Sequence, residues 1–132
     1  MEKDLIKQVV ASVAAGHEEI KLAYIFGSTA RNDGGVLSDI DIALYLDGLD
    51  NTQMANLKLK LIPEFSQKLK TDRIDLVILN TSEKPELKYQ ILSEGELVYE
   101  REPYRVIVEP RILNEYFDFQ MILKRYGLTC AQ

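Results

Sequence analysis

Residues 27–41 read GSTARNDGGVLSDID, and this stretch decides how the rest of the chain is interpreted. It follows an apolar run, residues 22–26, and ends in Asp39 and Asp41, which lead into a second apolar run over residues 42–46. Because side chains alternate across a strand, both aspartates are expected on one face, with Ile40 directed into the core. Two carboxylates at the start of a strand require a chemical explanation. We interpret them as ligands of magnesium ions that accompany a nucleotide.

Composition limits the classes of protein to consider. The chain has 132 residues, of which 46% are hydrophobic and 28% are charged, so residues 1–132 are expected to form a single globular domain. It has no apolar run of about 18 residues and no signal-peptide pattern, which predicts no contact with a membrane. The single Cys130 favours a reduced, cytoplasmic setting. A net charge of -5 argues against a protein that binds long nucleic acids.

The periodicity of apolar residues predicts alternating helices and strands in the first half of the chain. We expect a helix over residues 4–15, a strand over 21–26, a short helix over 28–31 capped by Ser28, a loop over 32–35 and a strand over 39–46. The next helix is expected to be capped by Asn51 or Thr52 and to reach about residue 70. Pro63 lies inside it and should kink or split it.

The second half continues with a third strand over residues 73–79. Thr81 or Ser82 is expected to cap the following helix, which has Pro85 near its first turn and Gly95 at its end. Residues 97–99 read as a short edge strand, and residues 103–126 as a final helix, although residues 105–108 have strand-like composition.

The final helix carries an unusually wide apolar arc. Its two adjacent stripes are Ile112, Tyr116, Phe119, Leu123 and Tyr126, and Leu113, Phe117 and Met121. Burial in the core is the commoner explanation of such an arc, and a surface for a partner is the alternative.

Asp75 is an isolated carboxylate in the otherwise apolar third strand. If that strand lies beside the second, Asp75 joins Asp39 and Asp41, and three carboxylates can hold two Mg²⁺ ions roughly 3.5–4 Å apart. Gly27 permits close approach of the backbone to a phosphate, and Ser28 offers a hydroxyl and an N–H. Each feature taken alone has an ordinary structural explanation, and the metal site is inferred from their combination.

The pattern of Gly27-Ser28, ten residues, then Asp39-Ile40-Asp41 resembles the signature of the DNA polymerase beta-type nucleotidyltransferase superfamily. The form here is similar to minimal nucleotidyltransferase (MNT) domains, and length and element order extend that resemblance over nearly the whole chain. The resemblance implies an α/β (α+β) fold with a mixed sheet of about four strands flanked by helices. Its implied cofactors are two Mg²⁺ ions, with ATP as the substrate.

The resemblance also implies roles for particular residues. Asp39, Asp41 and Asp75 correspond to catalytic metal ligands, and Asp75 is also a candidate to deprotonate the acceptor hydroxyl. Gly27 and Ser28 correspond to the turn that binds nucleotide phosphates. Arg31 matches a basic residue that contacts phosphates in the family, although a solvated surface arginine is nearly as good an explanation.

Many MNT proteins are antitoxins that transfer AMP from ATP to a tyrosine of a HEPN-domain ribonuclease toxin. The resemblance implies that activity here, with the toxin as the partner in a hetero-oligomer. Two alternatives stay open at this point: a nucleotidyltransferase acting on a small molecule, and an antitoxin that neutralises by binding alone. The sequence does not indicate the base preference of the nucleotide site or the number of groups transferred.

Overall fold

The computed structural model describes residues 2–31 and 39–128. Within these residues the chain forms five helices and four strands. In chain order they are α1 (Lys3–Ala15), β1 (Ile20–Ile25), α2 (Gly27–Arg31), β2 (Ile40–Leu46), α3 (Asn51–Leu69), β3 (Ile74–Ile78), α4 (Pro85–Glu94), β4 (Glu96–Glu100) and α5 (Tyr104–Arg125). No helix in this part of the chain is long and apolar enough to span a membrane.

The four strands form one mixed sheet in the order β3-β2-β1-β4. Strand β1 is antiparallel to both β2 and β4, whereas β2 and β3 are parallel. A parallel pair needs a long crossover connection, and α3 provides it. The predicted mixed sheet of about four strands flanked by helices is confirmed, as is the edge position of the last strand.

Helices cover both faces of the sheet. Apolar side chains of α1 and α3, such as Val10 and Phe65, pack against one face, which includes Ile42 and Leu44. Residues of α4 and α5, such as Ile91 and Ile112, pack against the other face. Since neighbouring strand residues alternate between faces, Asp41 lies on the same face as Ala43 and therefore on the side of α4 and α5.

The N-cap of helix α3 lies one residue earlier than the sequence suggested. Asp50 is the N-cap: its carboxylate accepts a hydrogen bond from the Gln53 N–H at 2.8 Å, and the Gln53 side chain accepts one from the Asp50 N–H at 3.0 Å. This reciprocal pair satisfies two N–H groups at the start of the helix. The predicted cap at Asn51 or Thr52 is therefore wrong.

Two other helix starts also differ from prediction. Helix α4 begins at Pro85 with Lys84 as its N-cap and without a side-chain cap, and the N–H groups of Thr81 and Ser82 both donate to the Ile78 carbonyl in a turn after β3. The prediction that Thr81 or Ser82 caps this helix is wrong. Helix α2 includes Gly27 and so starts one residue before the expected cap at Ser28.

The prolines do not divide the helices that contain them. Helix α3 is continuous through Pro63, and α5 is continuous through Pro110. In α3, Leu61 and Phe65 are fully buried on either side of the proline, so packing against the core holds both halves in one helix. Of the kink or split expected at Pro63, the split did not occur, because tertiary packing outweighs the loss of one hydrogen bond.

Helix α5 buries little of its apolar arc. Val108 and Ile112 are its buried residues, whereas Phe117, Met121 and Tyr126 are exposed to 52%, 63% and 68%. Burial in the core, the commoner explanation, is therefore wrong for the C-terminal half of the helix. The strand-like composition of residues 105–108 is overridden, because Val108 packs against the sheet as part of a helix.

Candidate active site

The predicted site residues converge at one end of the sheet. Gly27 follows the end of β1, Asp39 directly precedes β2, and Asp41 and Asp75 are the second residues of β2 and β3. The parallel register pairs Asp41 with Asp75 directly, so the two aspartates lie side by side on adjacent strands. The proximity that was expected if β2 and β3 were neighbours is therefore present.

Asp41 is the electrostatic centre of this group. The pKa of its carboxyl is raised to about 6, chiefly by burial and then by the charge of Asp75, a hydrogen bond with Asp75 and the charge of Asp39, while Arg31 opposes the shift. Negative charge is thus concentrated at this end of the sheet to a degree that favours a proton or another cation.

Gly27 lies directly against the Asp41 carboxylate. Its φ of +60° is in the left-handed region, where residues with a Cβ are strained. A Cβ at this position would lie 2.5 Å from Oδ2 of Asp41 and 3.2 Å from its Cγ. The Gly-Ser turn therefore does more than join two elements, because the missing side chain leaves the space that the carboxylate uses.

Hydrogen bonds on both sides of β2 fix the backbone of the two aspartates. The Phe26 N–H donates to the Asp41 carbonyl at 3.1 Å, on the side of β1. The Ile40 N–H donates to the Arg73 carbonyl at 2.8 Å, on the side of β3. The start of β2 is consequently held by both neighbouring strands.

Thr29 adds a contact that the sequence analysis missed. Its Oγ1 accepts a hydrogen bond from the Asp41 N–H at 2.9 Å and donates to the Asp39 carbonyl at 3.5 Å. The side chain is buried, with 9% exposure. Its position two residues after Gly27 was visible in the sequence, but a threonine in a short helix has no pattern that would have indicated this role.

The remaining predicted residues lie on α2, which packs against β2. Ser28 is half-buried and Arg31 is exposed. The loop expected over residues 32–35 lies outside the described residues. The roles of Gly27, Ser28 and Arg31 in binding nucleotide stay predictions.

The carboxylates fit a divalent cation by their chemistry. All three side chains offer oxygen ligands, which Mg²⁺ prefers, and the raised pKa of Asp41 marks a place where added positive charge is favourable. In residues 2–31 and 39–128, however, no three His, Cys, Asp or Glu side chains are already arranged to hold a metal ion. Ligation by Asp39, Asp41 and Asp75 together therefore stays a prediction.

The solved structures with a similar fold include toxin–antitoxin complexes. One is a crystal structure of a toxin–antitoxin with AMP-PNP, with 21% identity, a TM-score of 0.73 and coverage of 96% of this chain and 95% of that chain. Another is a tri-AMPylated Shewanella oneidensis HEPN toxin in complex with its MNT antitoxin, with 20% identity, a TM-score of 0.69 and 95% coverage of both chains. A third, the toxin–antitoxin MntA-HepT, has 20% identity, a TM-score of 0.68 and 95% coverage of both chains.

At these identities the structural likeness establishes the fold alone. A comparison with curated proteins gave no match. The family comparison is more specific, since residues 8–104 match the family described as polymerase beta, nucleotidyltransferase. This range includes Gly27, Asp39, Asp41 and Asp75, together with strands β1, β2 and β3. The chain therefore belongs to the polymerase beta nucleotidyltransferase family.

Proposed function

We propose that the protein is an antitoxin that transfers AMP from ATP to a tyrosine hydroxyl of a cognate HEPN ribonuclease toxin and thereby neutralises it. The observation that carries the proposal is the register of β2 and β3, which sets Asp41 beside Asp75 with Gly27 against the Asp41 carboxylate. Membership of the nucleotidyltransferase family supports the reaction class. The fold shared with an MNT antitoxin in complex with an AMPylated HEPN toxin supports the choice of partner.

Each residue of the site has a role in this proposal. Asp39, Asp41 and Asp75 would hold two Mg²⁺ ions, which supply charge neutralisation at the phosphates when bound. Gly27 and Ser28 line the turn for the nucleotide phosphates, and Arg31 contributes positive charge beside them. The fold shared with a toxin–antitoxin that contains AMP-PNP supports ATP as the nucleotide.

The transfer forms one bond and breaks another. The tyrosine oxygen of the toxin bonds to the α-phosphorus of ATP, and the bond between that phosphorus and the bridging oxygen of pyrophosphate breaks. Pyrophosphate leaves with the bonding electrons, and Asp75 accepts the hydroxyl proton. Asp75 suits this role because its side chain is exposed at the sheet edge and is therefore accessible to a group supplied from outside the chain.

The direct test is transfer of label from ATP, labelled at the α-phosphate, to the toxin encoded beside this protein. We expect label on the toxin in the presence of Mg²⁺, and a loss of several orders of magnitude for Asp41→Asn, because charge stabilisation provides most of the barrier reduction in phosphoryl transfer. The control is Asp47→Asn, which removes a carboxylate at the other end of β2. An Asp41→Asn variant within tenfold of the wild type would refute the assignment of the site.

A second candidate is an antitoxin that neutralises by binding alone, and the exposed apolar face of α5 favours it. That face includes Phe117 and Met121, which lie one helical turn apart, and a stacked pair formed by Tyr89 and Tyr116, with ring centroids 4.0 Å apart, lies beside Phe117. The double variant Asp39→Asn, Asp41→Asn separates the two candidates. Full protection from the toxin by this variant would favour binding alone, whereas lost protection with an intact complex would favour catalysis.

A further inference from the structure

We propose that Thr29 is a positioning residue, whose hydroxyl holds the backbone of Asp39 and Asp41 in the geometry that binds metal and nucleotide. The inference rests on the proposed function, since it concerns the same site. It assigns to α2 a second task beside its expected contact with phosphates.

The need for such a contact arises where β1 ends. Strand pairing between β1 and β2 reaches Ile25 and Ile42, after which the chain turns at Gly27. The Asp41 carbonyl still points toward the β1 side of β2, where it accepts a hydrogen bond from the Phe26 N–H. The Asp41 N–H points the same way, but the partner at 2.9 Å is the Thr29 hydroxyl and not a strand carbonyl.

The hydroxyl makes use of both its acceptor and its donor capacity. It accepts from the Asp41 N–H and donates to the Asp39 carbonyl at 3.5 Å, which is longer than the usual O–H···O hydrogen bond and therefore the weaker of the two contacts. One side chain therefore connects the two residues on either side of Ile40. The start of β2 is held from α2 as well as from the sheet, chiefly through the Asp41 N–H.

This link matters for metal binding because Mg²⁺ demands nearly ideal octahedral geometry. The Asp41 carboxylate lies against Gly27 on one side and beside Asp75 on the other. A shift of the Asp41 backbone would therefore be transmitted to the carboxylate oxygens. Groups that orient metal ligands typically contribute about 10- to 100-fold to metal affinity or activity.

The test compares Thr29→Val, which keeps the shape but removes the hydroxyl, with Thr29→Ser, which keeps the hydroxyl. Mn²⁺ binding in the presence of AMP-PNP is followed by the electron paramagnetic resonance signal of free Mn²⁺, and the melting temperature is recorded for each variant. We expect Thr29→Val to weaken Mn²⁺ binding by about 10- to 100-fold and Thr29→Ser to retain it. Thr29→Ala is a second hydroxyl-free variant if the valine variant fails to fold.

Asn80→Ala is the matched control for loss of side-chain hydrogen bonds. The Asn80 side chain accepts from the Leu46 N–H at 2.9 Å and donates to the Leu46 carbonyl at 2.6 Å, at the end of β2 opposite to Asp41. This variant should lower the melting temperature without changing Mn²⁺ binding, which separates positioning from general destabilisation.

Three outcomes would overturn the inference. If hydroxyl-free variants bind Mn²⁺ as the wild type does, Thr29 has no positioning role, although the proposed function stands. If Thr29→Ser loses as much as Thr29→Val, packing of the methyl group and not the hydroxyl is responsible. If the wild type itself fails to bind Mn²⁺ with AMP-PNP, the proposed function and this inference fail together.

Discussion

Replacement of Gly27 by alanine tests whether the turn after β1 exists to accommodate the Asp41 carboxylate. The added Cβ would lie 2.5 Å from Oδ2 of Asp41, closer than carbon and oxygen can approach without displacement. The nearest atom belongs to the end of a side chain, so the clash can be relieved by rotating the carboxylate. That relief preserves the fold but moves the group proposed to bind metal.

The structure separates two consequences of this substitution. An L-residue in the left-handed region costs about 1–2 kcal/mol, which should lower the melting temperature by roughly 4 °C for each kcal/mol. Gly48 provides the matched control, because its φ is +84° and a Cβ there would meet nothing within 4 Å. Both variants should therefore lose similar stability, while Gly27→Ala alone displaces Asp41.

The assay combines thermal unfolding with transfer of labelled AMP to the toxin. We expect Gly48→Ala to keep nearly wild-type transfer and Gly27→Ala to lose about 100-fold or more, since a misplacement near 1 Å can cost that much. Equal transfer by the two variants would refute the reasoning, whether both were active or both inactive. A Gly27→Ala variant that is fully active would show that Asp41 does not need its present position.

Three further predictions concern charge and surface. The fold raises the pKa of Asp41 from 3.8 to about 6, so its ionisation destabilises the metal-free protein as the pH rises through this interval. Urea denaturation in EDTA at pH 7 should therefore show Asp41→Asn to be about 1–2 kcal/mol more stable than the wild type, a figure that allows for the partial exposure of Asp41. Below pH 4 the two proteins should be equally stable. Met121→Asp on α5 should weaken toxin binding, measured by calorimetry, about tenfold. Leu59 on α3 is similarly exposed, and Leu59→Asp should leave binding unchanged; equal effects would exclude α5 as the binding surface. Glu115→Ala leaves the buried Lys88 without its partner at 2.6 Å and should cost about 1 kcal/mol in thermal unfolding, whereas Lys88→Met should cost less; the reverse order would contradict this reading of the pair.

The sequence predicted the sheet and the placement of the candidate site residues at one end of it, because both depend on local patterns. Apolar runs of strand length alternate with helical periodicity, and the polar residues that interrupt those runs mark the end of the sheet. Asp75 could be linked to Asp41 only through the assumption that β2 and β3 are neighbours. The observed parallel register confirms that assumption.

Other features could not be predicted, because they depend on tertiary contacts. The role of Thr29 arises only after β1 ends beside β2, so no spacing within the sequence indicates it. The continuity of α3 through Pro63 reflects burial of its neighbours in the core. The exposure of Phe117 and Met121 likewise follows from where α5 leaves the sheet, since an apolar stripe has the same periodicity whether it is buried or exposed.

The arrangement of the carboxylates lowers the stability of the fold but would raise the affinity of the site for a cation. Burial and the neighbouring carboxylates make the ionised form of Asp41 unfavourable, while the register with β3 keeps the Asp41 backbone beside that of Asp75. A penalty of about 1–2 kcal/mol is tolerable in a domain whose stability is typically about 5–15 kcal/mol. The same penalty would become a source of affinity if a divalent cation neutralised the carboxylates, because binding would then relieve the repulsion that the backbone maintains. Gly27 leaves space for the Asp41 carboxylate, and Thr29 holds the backbone from which that carboxylate projects.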